Sequence, residues 1–250
     1  MTKINDFSVY QELQVRYPRN ISNDFMLPSE IQKRIGQGMI NISADERALF
    51  MFERRHGFYK LHFRIIDIAA EIPRSDGSIA AFLIYRRDRY PAEAADWLHR
   101  QGFVHTKTLM RLSSNEITGE LTYEGIDNAS ADEVYEMFGR HFSVEEADLP
   151  CREVFDEKGI YCIRSAEGKP LGIVYDMKQT RIIAVSGEAR GQGIGRRLYL
   201  AYAAVKLREN KNHVFKEWVS PDNKASLAMY HSLGFVQDST VSDCFVRGSL

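Results

Sequence analysis

The second half of the chain carries the hydrophobic patterning of a domain with both helices and strands. Apolar residues at helical spacing predict helices at 130–142, 195–208 and 223–233. Apolar runs bounded by turn residues predict strands at 160–163, 171–177, 181–185 and 214–219. Phe215, Glu217 and Val219 fall on one face of the last strand, so a carboxylate is placed among apolar side chains.

The first half carries a strong β-hairpin pattern. Segments 48–53 and 58–68 flank Arg55-His56-Gly57, and apolar and polar residues alternate within the second segment. A strand at 79–85 and a helix at 91–100 follow. The glycine pair Gly36-Gln37-Gly38 precedes the hairpin and is interpreted as a helix end.

A short repeat connects the two halves. His-x-x-Gly-Phe-Val occurs at 99–104 and again at 231–236, an offset of 132 residues. In both places a strand precedes a helix, so the pattern predicts a duplicated fold. The polar stretch 112–115 between the copies indicates a boundary, because few contacts cross exposed polar linkers. We therefore expect domains at 1–115 and 118–250.

Composition narrows the class of protein. Apolar residues make up 44% of the 250 residues and the net charge is −1, which excludes wholesale disorder and argues against a dedicated nucleic-acid-binding protein. No apolar run reaches the length of a membrane helix, and the start of the chain lacks the pattern of a secretory signal. Three cysteines without CxxC spacing argue against a disulfide framework or a zinc site, so a cytoplasmic location is expected.

The most specific segment is the glycine-rich stretch 186–195 between the strand at 181–185 and the helix that follows. A strand that leads through glycines into a helix aims several backbone N–H groups and the positive end of the helix dipole at one point, which suits a pyrophosphate. The P-loop pattern fails because Arg196 follows Gly195. The dinucleotide pattern fails because Arg196 stands where it requires glycine.

The spacing that fits is Arg-x-x-Gly-x-Gly, formed by Arg190, Gly193 and Gly195. With Val185 five residues before Arg190, this segment resembles the acetyl-CoA loop of the GNAT acetyltransferase superfamily. That family's later motif, an asparagine followed by Tyr-x-x-Leu-Gly-Phe, is matched by Asn223 and by residues 230–235. The resemblance covers 118–250. The first half lacks the loop and looks like a degenerate GNAT unit that binds no CoA.

The resemblance implies an α/β (α+β) fold of tandem GNAT-like units, in which mixed and mostly antiparallel sheets are flanked by helices. It also implies acetyl-CoA as co-substrate, without a metal. A backbone N–H near Ala184 or Val185 would bind the thioester carbonyl, and Tyr230 would be the general acid toward the CoA sulfur. The residues expected at the cofactor are Ala184, Val185, Arg190, Gly191, Gln192, Gly193, Ile194, Gly195, Arg196, Asn223 and Tyr230.

Removal of a proton from the acceptor amine needs a base or a water chain. Glu217 is the candidate, since a carboxylate in a sheet covered on both faces is costly unless it is used or paired. Its carboxylate could act as the base, bind the substrate amine, or pair with a lysine or arginine. Asp176 and Tyr175 are alternative bases.

Three functions follow from these features. The first is an acetyl-CoA-dependent N-acetyltransferase acting on an amine of a small molecule or a peptide. The second is a catalytically silent acyl-CoA-binding or scaffold protein, and the third is a transferase of a longer acyl group. Neither nucleic acid nor a membrane is expected as a partner, and both a monomer and a homodimer are compatible with the sequence.

Overall fold

The computed structural model describes residues 7–18, 21–24, 26–177 and 181–248. The helices are α1 Phe7–Arg16, α2 Pro28–Gly36, α3 Ala92–Arg100, α4 Ala131–His141, α5 Val144–Ala147, α6 Ile194–Glu209 and α7 Lys224–Ser232. The strands are β1 Ile21–Ser22, β2 Ile40–Ala44, β3 Ala48–Arg54, β4 Tyr59–Ile65, β5 Ile79–Arg86, β6 Val104–Ser114, β7 Ile160–Arg164, β8 Pro170–Asp176, β9 Arg181–Val185, β10 Phe215–Val219 and β11 Val236–Arg247. Among these described helices, none combines the length and the apolar character that crossing a bilayer requires.

The chain forms two compact units, and neither is a continuous stretch of sequence. Unit 1 comprises the described residues within Met1–Thr108, Asp148–Val154 and Thr240–Leu250. Unit 2 comprises Leu109–Ala147 and the described residues within Phe155–Ser239. Strands β6 and β11 therefore each contribute one part to unit 1 and the other part to unit 2.

Unit 1 is built on a mostly antiparallel sheet. Strands β2, β3 and β4 form an antiparallel meander, β5 runs parallel to β4, and β11 pairs antiparallel with β5. Trp97 of α3 is fully buried on this sheet against Phe50 and Phe63, with ring centroids 6.0 and 4.9 Å away. A second apolar cluster on α1 and α2 contacts β2 through Ile40 and Ile42 and β3 through Leu49 and Met51.

The parallel strands β4 and β5 separate soon after they begin. Their pairing runs from Tyr59 opposite Ile79 to Leu61 opposite Ala81. Beyond that point β1 pairs with the same edge of β4, because β3 occupies the other edge along its full length. Asn23 extends this pairing, since its side chain donates to the Leu61 carbonyl at 2.8 Å and accepts from the Phe63 amide at 2.7 Å. The gap at this edge of β4 is thus filled by the chain itself.

Unit 2 contains two groups of strands and the longest described helix. Strands β7, β8 and β9 form an antiparallel sheet, and β10 pairs antiparallel with the last five residues of β6. Helix α6 packs on the first sheet at Gly172, where an added Cβ would lie 2.7 Å from Ile194 and 3.0 Å from Leu198. Glycine at this position allows the helix to approach β8 closely enough to bury its apolar face.

The predicted mixed fold with mostly antiparallel sheets flanked by helices is confirmed. The helices and strands predicted for the second half agree with the observed ones to within one or two residues at each end. The predicted strand at 58–68 is too long, since β4 ends at Ile65. Residues 112–114, interpreted as part of a polar linker, instead belong to β6 and pair with β10.

Candidate active site

The glycine-rich segment forms a tight connection between β9 and α6. After Val185 the chain makes a 3₁₀ turn at Gly187–Ala189, and α6 begins at Ile194. Gly191 and Gly193 have φ of +77° and +75°, in the left-handed region that glycine adopts at little cost. An added Cβ at either position would meet no atom of the described chain within 4 Å. The loop therefore presents bare backbone to open space.

The start of α6 is electrostatically unusual for a helix. Its first turn contains Arg196 and Arg197, whereas helix N-termini normally favour acidic residues. Helix α4 shows the ordinary arrangement, with Asp132 and Glu133 in its first turn and a capping box at Ser130. Because the first N–H groups of α6 lack intrahelical acceptors, these groups and the helix dipole favour an anion at this end of the helix.

The two glycines that end the predicted motif have different structural roles. Gly193 is the residue before α6, and it faces open space. At Gly195 an added Cβ would lie 3.2 Å from the Met229 sulfur and 3.6 Å from Val185 Cγ2. Gly195 therefore permits close packing between the beginning of α6 and α7, while Gly193 leaves room for a ligand.

The loop arginines differ in their contacts. Arg190 is exposed, and its guanidinium lies 3.4 Å from Nδ1 of His141. Burial and the charge of Arg190 lower the pKa of His141, so this imidazole is neutral near pH 7. Arg196 donates to the Thr118 carbonyl at 3.1 Å and folds back along the chain. Of the two side chains, that of Arg190 is the one at the open loop.

The outer edge of β9 has no backbone partner in the described part of the chain, because β9 pairs only with β8. Ile182 and Ala184 point into the core, whereas Ile183 and Val185 are half-buried. An unpaired strand edge offers a row of N–H and C=O groups to an extended molecule. This edge leads directly to the anion site at the start of α6, so an extended molecule with an anionic end fits both features at once.

Tyr230 lies on α7 within an aromatic cluster. Its ring meets Tyr199 edge-on at 5.4 Å and Phe235 at 5.2 Å. The side chain is 7% exposed, and its hydroxyl has no hydrogen-bond partner among the described residues. Burial, reinforced by the Glu217 carboxylate, raises the pKa of Tyr230 well above its usual value. The hydroxyl is therefore a protonated donor throughout the physiological pH range.

Glu217 is fully buried and engaged by two side chains. Its Oε1 accepts a hydrogen bond from Nε of Arg181 at 2.6 Å and another from the Tyr199 hydroxyl at 2.6 Å. Burial raises the pKa of Glu217, against the opposing effects of the guanidinium and the hydroxyl. Pairing with an arginine is one of the three roles that the sequence left open for Glu217. Its role as a base stays a prediction.

The alternative bases and the capping asparagine also have defined contacts. The Asp176 carboxylate is buried and lies 2.9 Å from Nζ of Lys206. Tyr175 is buried and stacks on Phe155 with centroids 4.8 Å apart. Asn223 is the N-cap of α7, where its side chain accepts from the Ser226 amide at 3.0 Å. Asn223 thus fixes the helix that carries Tyr230.

Sequence reasoning missed three residues of this region: Arg181, Tyr199 and Tyr202. Arg181 donates to Glu217 and to the Tyr202 hydroxyl, and Tyr199 lies between Glu217 and Tyr230. Two tyrosines on the buried face of a helix, together with an arginine that opens an apolar strand, are the signal that could have revealed them. Each has a polar group that requires a partner when it is buried.

Comparison with known proteins agrees with this geometry. Residues 126–235 match the model of the acetyltransferase (GNAT) family. Over 112 residues the chain is 31% identical to mycothiol acetyltransferase of Paenarthrobacter aurescens, a match that covers 39% of this chain and 34% of that protein. The matched segment thus spans about a third of that relative's length.

Solved structures show the same fold. A GCN5-related N-acetyltransferase from Sphaerobacter thermophilus aligns with a TM-score of 0.54 at 12% identity, covering 89% of this chain and 86% of that one. A GNAT-family acetyltransferase from Colwellia psychrerythraea aligns with a TM-score of 0.52 at 12% identity, covering 98% of both chains. The likeness to these solved structures shows the fold, and the GNAT family model matches residues 126–235, which is a little under half of the chain.

Proposed function

We propose that unit 2 is an acetyl-CoA-dependent N-acetyltransferase. The observation that carries this proposal is the continuity between the open edge of β9 and the bare glycine loop at the start of α6. Acetyl-CoA has the matching shape, with a pyrophosphate at one end of an extended pantetheine arm. The loop amides and Arg190 would hold the pyrophosphate, and the β9 edge would pair with the amides of the arm.

The chemistry requires stabilisation of the thioester oxygen, a proton for the leaving thiolate, and a neutral amine. We propose a backbone N–H near Ala184 or Val185 as the donor to the oxygen. The Tyr230 hydroxyl is the proposed proton donor to the sulfur. It is protonated at neutral pH and has no hydrogen-bond partner among the described residues, which supports this role. The proton of the amine leaves through Glu217 or through ordered water.

We propose that unit 1 binds no acyl-CoA. Its corresponding strand edge, on β4, is already paired with β1 and Asn23. The connection from β4 to β5 contains neither a helix nor a glycine loop. At the 132-residue offset of the repeat, Leu98 stands in place of Tyr230 and Pro91 in place of Asn223. In chain order, residues 40–114 and 160–247 each pass through an antiparallel meander, a strand, a helix and a long strand, with α6 added in the second segment, which supports a duplicated fold.

The acceptor is proposed only as a class, an amine of a small molecule or a peptide, in a monomeric or homodimeric protein. The relative is named a mycothiol acetyltransferase, and because only a third of it is matched, the acceptor of that protein is not assigned to this chain. A cytoplasmic location is also part of the proposal, and all three cysteines are buried. A silent acyl-CoA-binding protein and transfer of a longer acyl group are the alternatives.

The function is tested by the release of free CoA thiol from acetyl-CoA, with a panel of small primary amines and peptide amines as acceptors. We expect release that depends on at least one amine and an acetylated product detected by mass spectrometry. Butyryl-CoA in place of acetyl-CoA tests transfer of the longer group. Tight CoA binding without release for any amine would support the silent binding protein and contradict the enzyme.

A further inference from the structure

The structure raises the question of what holds the two sides of the proposed site in place. In the described chain β9 pairs only with β8, and β10 pairs only with β6. An open β9 edge is what the proposed cofactor requires. The same openness leaves β9 and β10 without a backbone ladder to fix their separation.

One side chain crosses from β9 to β10. Arg181, the first residue of β9, is buried, and its Nη2 donates to the Lys216 carbonyl of β10. Its Nε donates to Glu217 at 2.6 Å, also on β10, and its Nη1 donates to the Tyr202 hydroxyl of α6 at 2.8 Å. The guanidinium also lies 5.1 Å from the centre of the Tyr202 ring. Three elements are therefore joined by one planar group with fixed donor directions.

The link continues to the proposed acid. Oε1 of Glu217 accepts hydrogen bonds from both Arg181 and Tyr199. The Tyr199 ring in turn packs edge-on against the Tyr230 ring. Burial disfavours a charge on Arg181, but the Glu217 carboxylate keeps the pKa of this guanidinium above its usual value. The Arg181 guanidinium thus stays charged while it makes these three contacts.

We infer that Arg181 is a positioning residue that sets the width of the cleft between β9 and β10 and, through Glu217 and Tyr199, the position of the Tyr230 ring. It replaces the missing backbone ladder with side-chain hydrogen bonds at one end of the cleft. The thioester end of the cofactor depends on this spacing, whereas the anion site at the start of α6 does not. This inference rests on the proposed function of unit 2.

The test is Arg181→Lys, which keeps the charge and loses the forked hydrogen bonds. We expect kcat/KM for acetyl-CoA to fall by roughly 10²-fold, the cost of a displacement of about 1 Å at a reacting centre. The affinity for 3′-phosphoadenosine 5′-diphosphate, the nucleotide half of CoA, should stay unchanged, because that half meets only the loop. Arg164→Lys is the matched control, since Arg164 makes a forked pair with Glu133 in the same unit.

Two further variants also test the role of the bridge between Arg181 and Glu217. Arg181→Met combined with Glu217→Gln removes both charges, so no lone charge stays buried, and the same loss is expected because the contact with the Lys216 carbonyl is gone. Glu217→Gln alone should lower kcat/KM and leave the low-pH limb of the rate profile in place. Disappearance of that limb would show Glu217 to be the base and would overturn its role in the bridge.

If Arg181→Lys lowers thermal stability but keeps full kcat/KM per folded molecule, the inference is overturned and the proposed function stays intact. If the wild-type protein releases no CoA with any amine, the proposed function fails instead. The inference is then tested by binding alone. Arg181→Lys must weaken acetyl-CoA binding more than it weakens binding of the nucleotide half, and equal effects on the two would contradict it.

Discussion

Tyr230→Phe is expected to lower kcat by roughly 10²- to 10⁴-fold, the usual contribution of one general acid. The change removes only the hydroxyl, which has no hydrogen-bond partner among the described residues, and keeps the ring that packs against Tyr199 and Phe235. Since no protein hydrogen bond is lost, the thermal stability and the affinity for CoA should stay close to those of the wild type. Single-turnover rates of acetyl transfer at saturating acetyl-CoA measure the effect on the chemical step.

Tyr161→Phe is the matched control for Tyr230→Phe. Tyr161 lies on β7 of the same unit, is partly buried against the same core, and loses the same atom. Its kcat should equal that of the wild type. A Tyr230→Phe enzyme with a rate within a factor of about three of the control would contradict the assignment of Tyr230, given the expected span for a general acid.

Gly193→Val is expected to abolish measurable CoA binding while the protein stays folded. The backbone of Gly193 is in the left-handed region, with φ of +75°, and no described atom lies within 4 Å of an added Cβ. The valine side chain would therefore extend into the space proposed for the pyrophosphate. Each charge-assisted hydrogen bond lost there costs about 1.5–3 kcal/mol, so loss of two weakens binding by roughly 10²- to 10⁴-fold. Isothermal titration calorimetry with CoA measures this loss.

A valine whose backbone is held in the left-handed region is strained by about 1–2 kcal/mol or more at any position. The control variant must therefore have the same strain. Gly38 in unit 1 has φ of +66° and equally empty surroundings. Gly38→Val should lose comparable stability in urea unfolding and retain the full affinity for CoA. Equal CoA affinity in the two variants would show that the loop at Gly193 is not the phosphate site.

The sequence predicted the glycine turn before α6 and both motif helices because their signals are local. The sequence from Arg190 to Gly195 contains the glycines that the turn needs, and Asn223 is a cap that precedes its own helix. Helix α1 was missed because its residues show little apolar periodicity, as expected for a helix with Tyr10 as its buried contact. An element can therefore be predicted when its own residues show a clear hydrophobic pattern or motif, and it is missed when they do not.

The features that could not be predicted depend on residues far apart in the chain. Strand β11 pairs with β5 across about 160 residues, and no turn signal links them. The bridge joins Arg181 and Glu217, which are 36 residues apart in the sequence. Neither strand has a sequence pattern that indicates which residue it contacts. The use of Asn23 to occupy the edge of β4 is a further case, since one polar residue in a short segment carries no visible pattern.

We propose that the chain has one acyl-CoA site, formed by the open edge of β9 and the loop at Gly193, and that the β4 edge of unit 1 is closed. Calorimetric titration of the purified 250-residue chain with acetyl-CoA tests this proposal. We expect one molecule bound per chain and no binding by Gly193→Val. Two molecules per chain, or one molecule whose binding survives Gly193→Val, would contradict it.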